Sequence, residues 1–140
     1  LVAELRSLTA GTDNPRVEVF GDFPTIAKVR IAGLQSLSGT TLYPDAELMA
    51  RLTPSQEVLW NNYAQYLWSP LPSGSPAAIT QVKGTQMNLD IDPCDPVLLV
   101  DAHPGWVVSD RPLDASCLTE VHTVQTNGGD EFRIYRVSGP

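Results

Sequence analysis

Positive charge is scarce in this chain. Nine lysines and arginines stand against sixteen aspartates and glutamates among 140 residues, a net charge of −7. No basic cluster forms, so nothing offers an electrostatic footprint for a phosphate backbone, and nucleic acid is not an expected partner. Long hydrophobic runs are also missing. The longest unbroken apolar stretch is the four residues Val97 to Val100, far short of the ~20 that cross a bilayer. The chain contains no G-x-G-x-x-G or Walker loop to cradle a nucleotide and no G-x-S-x-G nucleophile elbow. Its only histidines, His103 and His122, have nothing in the sequence to bring them together, so neither a triad nor a cofactor is expected.

What is present is ordinary for a globular domain: 42% hydrophobic and 18% charged residues, which excludes a disordered or collagen-like chain. At this length folding hides roughly 68% of the unfolded surface. The chain starts at Leu1 rather than Met, lacks a basic-then-apolar leader, and stops at Ser138-Gly139-Pro140 just after a strand-like segment. These features lead to the expectation of a domain cut from a longer protein, with residues 1–15 a linker or short N-terminal remnant and 16–140 the fold proper. The two cysteines, Cys94 and Cys117, lie in Pro/Asp/Ser-rich segments with no CxxC or Cys/His metal spacing. A disulfide is the expectation, and with it an oxidising compartment. Two separate buried thiols in a cytosolic protein are the alternative.

Arg16 to Phe20 alternates polar and apolar like a half-buried strand, ended by Gly21-Asp22-Phe23-Pro24. Thr25 to Ala32 reads as a helix, Leu34 to Leu37 as a short strand, and Tyr43-Pro44-Asp45 opens a brief helix to Leu52. Thr53-Pro54-Ser55-Gln56 has the residues of a capping box, which predicts a helix from Pro54 to about Trp68 with a wide apolar face. Within it, Asn62 projects between Val58 and Tyr66 and should need a buried partner. Strand material follows from Ile79 to Ile91, turned near Lys83-Gly84. Asp95-Pro96 opens a short apolar helix to Ala102, and Gly105 to Ser109 reads as a buried strand. Leu118 to Gln125 and Glu131 to Val137 flank an Asn127-Gly128 turn and form a hairpin. The fold class is therefore α/β, a layered mixed sheet with a parallel portion and a C-terminal antiparallel hairpin, with helices packed on it.

Two constellations could carry chemistry. Asp90 and Asp92, at i and i+2, could hold a divalent cation between them if they share a strand face. Asp92-Pro93 is equally a turn-forming pair, and this weak metal reading, with Asp95 nearby, lacks EF-hand spacing. The second constellation is aromatic and amide: Trp60, Asn61 and Tyr63, with Trp68 and Trp106, could stack on sugar rings and bond hydroxyls, or could simply pack the core.

Val17 to Asp22, Gly33-Leu34-Gln35-Ser36-Leu37-Ser38-Gly39, Tyr43-Pro44, Leu52-Thr53-Pro54 and Trp60-Asn61-Asn62-Tyr63-Ala64 together form a pattern. It resembles the soluble extracytoplasmic domain that follows the transmembrane bundle in large multi-pass bacterial membrane proteins related to C-type glycosyltransferases. Gly105 to Ser109, Pro112-Leu113 and Phe132 to Val137 resemble the same family's ending. The departure is Asn62, where an arginine is common, which leaves that arginine's role without a carrier. The resemblance implies an actinobacterial envelope protein whose catalytic carboxylates lie in membrane loops outside this chain. It also implies that Gly39, Tyr43, Pro44, Trp60, Asn61, Tyr63 and Trp106 serve mainly as architecture. The expected function is then a non-catalytic module on the extracytoplasmic face of the cell membrane. Its partners would be the membrane portion of its own parent chain and envelope glycan. The competing readings are a self-contained carboxylate- or metal-dependent enzyme using Asp22, Asp45, Asp90 or Asp92, and a pure protein-interaction domain.

Overall fold

The structure, a computed structural model, describes residues 1–36, 39–41, 46–56, 64–83 and 86–138. The strands are β1 (Val17–Phe20), β2 (Gly39–Thr41), β3 (Ala64–Pro70), β4 (Ala78–Lys83), β5 (Gln86–Ile91), β6 (Trp106–Ser109), β7 (Leu118–Gln125) and β8 (Glu131–Val137). They form one mixed sheet in the order β4-β5-β3-β1-β6-β8-β7, with β2 paired to β3 off this path. The pairs β5/β3, β3/β1 and β1/β6 are parallel, whereas β4/β5, β6/β8, β7/β8 and β2/β3 are antiparallel. The expected mixed sheet with its C-terminal hairpin is thus the observed one. Its hairpin turn is closed by Thr126 N–H donating to the Asp130 carbonyl at 2.9 Å. Gly129 takes the left-handed conformation at φ 87°.

Helices cover both faces of the sheet. Side chains alternate across each strand, so β6 sends Val107 to one face and Trp106 and Val108 to the other, and β1 likewise separates Phe20 from Val17 and Val19. On the first face Phe20, Tyr66, Trp68, Leu89 and Val107 pack with Leu48, Met49 and Leu52 of α3 (Ala46–Leu52). The π-helical turn Leu98–Ala102 joins them there. On the second face Val17, Val19, Trp106, Val108 and Ile134 meet Leu5 of α1 (Val2–Thr9) and Ile26 and Val29 of α2 (Phe23–Ile31). Residues 1–15 are therefore part of the body rather than a linker, because Leu5 is fully buried between α1 and the sheet.

Two sided burial also corrects the reading of β1. All four of its residues are buried, Glu18 included, because a central strand covered on both faces has no solvent side. Ser36 Oγ donates to the Glu18 carboxylate at 3.3 Å.

The largest correction concerns the helix expected from Pro54 to Trp68. Pro54–Gln56 is a 3-10 turn, and from Ala64 the chain is strand β3 rather than helix, with Tyr66 and Trp68 buried and Gln65 and Leu67 less so. The capping-box residues serve other partners. Thr53 N–H and Oγ donate to the Met49 carbonyl, at 2.8 and 3.2 Å, prolonging α3. The Gln56 amide pairs with the backbone of Ile79 in edge strand β4, donating to its carbonyl and accepting from its N–H at 2.8 Å each. A two-bond pairing that satisfies an edge strand displaces the single return bond of a capping box. Residues 57–63, including Asn62, lie outside the described residues. The short strand expected over Leu34 to Leu37 is irregular through residue 36, although the Gln35 carbonyl accepts from Val17 N–H at 2.9 Å. The brief helix opened at Tyr43 is described from Ala46 as α3.

Candidate functional site

In open sheets with parallel strands, ligands gather outside the carboxyl ends of those strands, where the order reverses direction. Here β1, β3 and β5 succeed one another toward one side, and β6 returns to the far side of β1. The reversal therefore falls between β1 and β6. At that point Phe20 leads through Gly21 to Asp22, and Ser109 leads to Asp110 and Arg111. Asp110 N–H donates to the Phe20 carbonyl at 3.3 Å. A Cβ on Gly21 would stand 3.3 Å from the Asp110 carboxylate, so a glycine there lets the two turns close on each other. Asp110 pairs with the Arg111 guanidinium at 3.1 Å on the surface.

The carboxylates at this edge already have structural acceptor roles. Asp22 caps α2: one oxygen accepts from Thr25 N–H at 3.0 Å and from Thr25 Oγ at 2.6 Å. The Thr25 hydrogen bond holds its carboxyl below the usual aspartate range. Asp90 accepts from Asn88 Nδ2 at 2.6 Å, and Asn88 Oδ1 in turn accepts from Ser69 Oγ at 3.1 Å, a polar ladder across β5 and β3. Asp92 is buried and accepts from Gly74 N–H and Cys94 N–H, both at 2.9 Å, joining the loops that follow β3 and β5. The two aspartates read as a possible cation pair thus serve different neighbours, and the Asp92-Pro93 turn is what the second one builds. Among the described residues no three His, Cys, Asp or Glu side chains gather in a way that could hold a metal ion. Asp45 lies outside the described residues.

The aromatic candidates divide similarly. Trp68 is 4% exposed and meets Phe20 edge-to-face, with ring centroids 5.9 Å apart. Trp106 is 3% exposed, with the Arg136 guanidinium 5.3 Å above its ring. Strand alternation turns both indoles inward, so neither presents a face on which a sugar could stack. Trp60, Asn61, Tyr63, Tyr43 and Pro44 lie outside the described residues. His103 ends the π-helical turn and His122 sits exposed on β7, on separate elements.

Cys94 and Cys117 form the expected disulfide. It joins the loop after β5 to the residue before β7, and β3, β1, β6 and β8 lie between those two strands in the sheet. Cys117 N–H also donates to Cys94 Sγ at 3.2 Å. The segment leading to Cys117 is held to the same face, because Tyr135 Oη accepts from Leu113 N–H at 2.9 Å and Leu113 packs on the first cluster. Two features escaped the sequence reading. Alternation puts Glu18 on a solvent face that does not exist, and the Tyr66 hydroxyl is buried without a hydrogen-bond partner among the described residues. Tertiary burial alone reveals either one.

The family model that matches the chain spans residues 1–140 and is that of a domain of unknown function, DUF7654. No curated protein and no solved structure matches it.

Proposed function

Taking the chain as a member of the DUF7654 family, to which it belongs over its whole length, we propose that it is a non-catalytic extracytoplasmic domain of a larger envelope membrane protein related to C-type glycosyltransferases. It rests on the membrane portion of that parent chain, and Trp60, Asn61 and Tyr63 are its contact with envelope glycan. The observation that carries this reading is the Cys94–Cys117 disulfide, since such bonds persist in oxidising compartments and are rare in the cytosol. The carboxyl edge of the sheet supports the non-catalytic part, because Asp22, Asp90 and Asp92 act there as hydrogen-bond acceptors that hold loops. No helix among the described residues is long and apolar enough to cross a membrane. In this reading the membrane portion is contributed by sequence beyond these 140 residues.

The test is thiol labelling of the natural full-length protein in intact cells. A membrane-impermeant maleimide should label Cys94 and Cys117 only after an impermeant reductant is added. Labelling without reductant, or labelling that requires permeabilised cells, refutes the placement. Glycan contact is tested separately by binding of purified envelope polysaccharide to the disulfide-intact domain. Trp60→Ala should abolish that binding, and unchanged binding removes that part of the proposal.

A further inference from the structure

A cleft lies at the opposite end of the sheet, where the parallel strands begin. It is an open groove of about 330 Å³ bordered by Thr12 and Asn14 before β1, His103 and Gly105 before β6, and Arg136 at the end of β8. We infer that this cleft binds a phosphoryl group, held between His103 on one wall and the Arg136 guanidinium on the other.

Charge is the first argument. Three arginines are neutralised by the chain's own carboxylates: Arg51 by Asp101, Arg111 by Asp110, and Arg133 by Glu120 and Glu131. Arg136 has no carboxylate partner among the described residues, and no acidic side chain lines the cleft. In a chain of net charge −7, a cation left with only an indole beneath it is suited to an anion from outside.

Preorganisation is the second. Arg136 lies over the Trp106 ring, 5.3 Å from its centroid. A guanidinium held over an indole has N–H groups on its rim that can give a bidentate grip on an oxyanion. His103 is the one non-glycine residue with positive φ among the described residues, at 47°. Several bonds impose that conformation. Its N–H donates to the Leu98 carbonyl at 3.1 Å, its carbonyl accepts from Asn14 Nδ2 at 2.6 Å, and Arg16 holds the adjacent Ala102 carbonyl. Its Nδ1 lies 3.3 Å from the Leu99 carbonyl. Because a carbonyl only accepts, Nδ1 carries the proton there, and Nε2 is left for a ligand.

Geometry selects the ligand. Asn14 Nδ2 and Thr12 Oγ donate to His103 and Thr9 carbonyls, so they frame the cleft rather than fill it. Binding falls to one imidazole nitrogen and one guanidinium fork. A tetrahedral phosphoryl group can offer two oxygens to the fork and a third, as a P–OH donor or an acceptor, to the imidazole on the other wall. The group could come from a soluble phosphomonoester or a phospholipid headgroup.

The test titrates inorganic phosphate into the disulfide-intact 140-residue chain, followed by amide NMR. Saturable shifts centred on His103, Gly105 and Arg136 are expected. Arg136→Gln should weaken binding roughly tenfold, and Arg136→Lys should recover only part of it, because charge returns without the fork. His103→Asn, chosen because asparagine tolerates positive φ, should weaken binding severalfold. Arg111→Gln should change nothing. Thermal melts confirm that each variant remains folded. Shifts that never saturate, or an equal loss in Arg111→Gln, overturn the site. Co-sedimentation with phosphatidylcholine vesicles, with or without phosphatidic acid, then identifies the source. Arg136-dependent binding to the acidic vesicles alone points to a lipid headgroup, and phosphate binding without vesicle binding points to a soluble ligand.

Discussion

Removing the Cys94–Cys117 bond should lower stability by a calculable amount. The cysteines are 23 residues apart, and the loop-closure entropy that such a crosslink removes from the unfolded chain corresponds to about 3.4 kcal/mol. Little packing is lost when both cysteines become alanine, since Cys117 is 9% exposed and Cys94 is half-buried. With an unfolding entropy of about 2.1 cal/mol/K per residue, a chain of this length loses roughly 12 °C in Tm for that change. Differential scanning calorimetry of the native chain and of Cys94→Ala/Cys117→Ala measures it. Urea titration adds a second reading: the denatured state without the crosslink exposes more surface, so the m-value should rise together with the fall in midpoint. A drop in Tm smaller than about 3 °C with an unchanged m-value would refute the reasoning. It would mean that the contacts of Leu113 and Tyr135 already hold the segment in place and that the unfolded chain is barely constrained.

Three further perturbations follow from single contacts. Tyr66→Phe should be neutral or stabilising by up to about 1 kcal/mol because its buried hydroxyl lacks a partner among the described residues, whereas Tyr135→Phe should cost about 1–2 kcal/mol by orphaning the Leu113 amide; equal effects in paired urea melts would contradict the assignment. Gly105→Ala should destabilise by about 2–3 kcal/mol, since a Cβ there is driven into the Asn14 carbonyl oxygen, and a wild-type Tm would show that the two loops are not in contact. Asp22→Ala should cost about 1 kcal/mol at neutral pH through loss of the α2 cap. The Thr25 bond depresses the Asp22 pKa on folding, so its contribution is present above the ordinary carboxylate range and is lost as pH falls through the lowered folded value. The stability gap between wild type and variant should therefore narrow below about pH 4, and a gap constant from pH 7 to pH 2 would count against the charged cap.

Local signals determined what local physics controls. Asp95-Pro96 predicted the start of the short helix, and Asp95 Oδ1 does accept from Val97 N–H at 2.8 Å. The C-terminal hairpin, the strands around Lys83 and the buried strand at Trp106 were legible from alternation and turn residues, as was the mixed α/β class that these elements imply together. The two cysteines could be expected to pair because no other chemistry suited their surroundings.

Tertiary structure decided the rest, because long-range contacts outweigh short-range preferences of a few tenths of a kcal/mol per residue. Tyr66 and Trp68 fit a helix face as well as a strand's inner side, and only pairing with β5 on one edge and β1 on the other selects the strand. Gln56 looked like a helix cap until the exposed backbone of Ile79 gave its amide two bonds. Glu18 carries the alternation of a half-exposed strand, but helices on both faces of the sheet enclose it. That His103 and Arg136, 33 positions apart in sequence, border one cleft depends on β6 lying beside β8, a neighbour relation that no periodicity in the chain records.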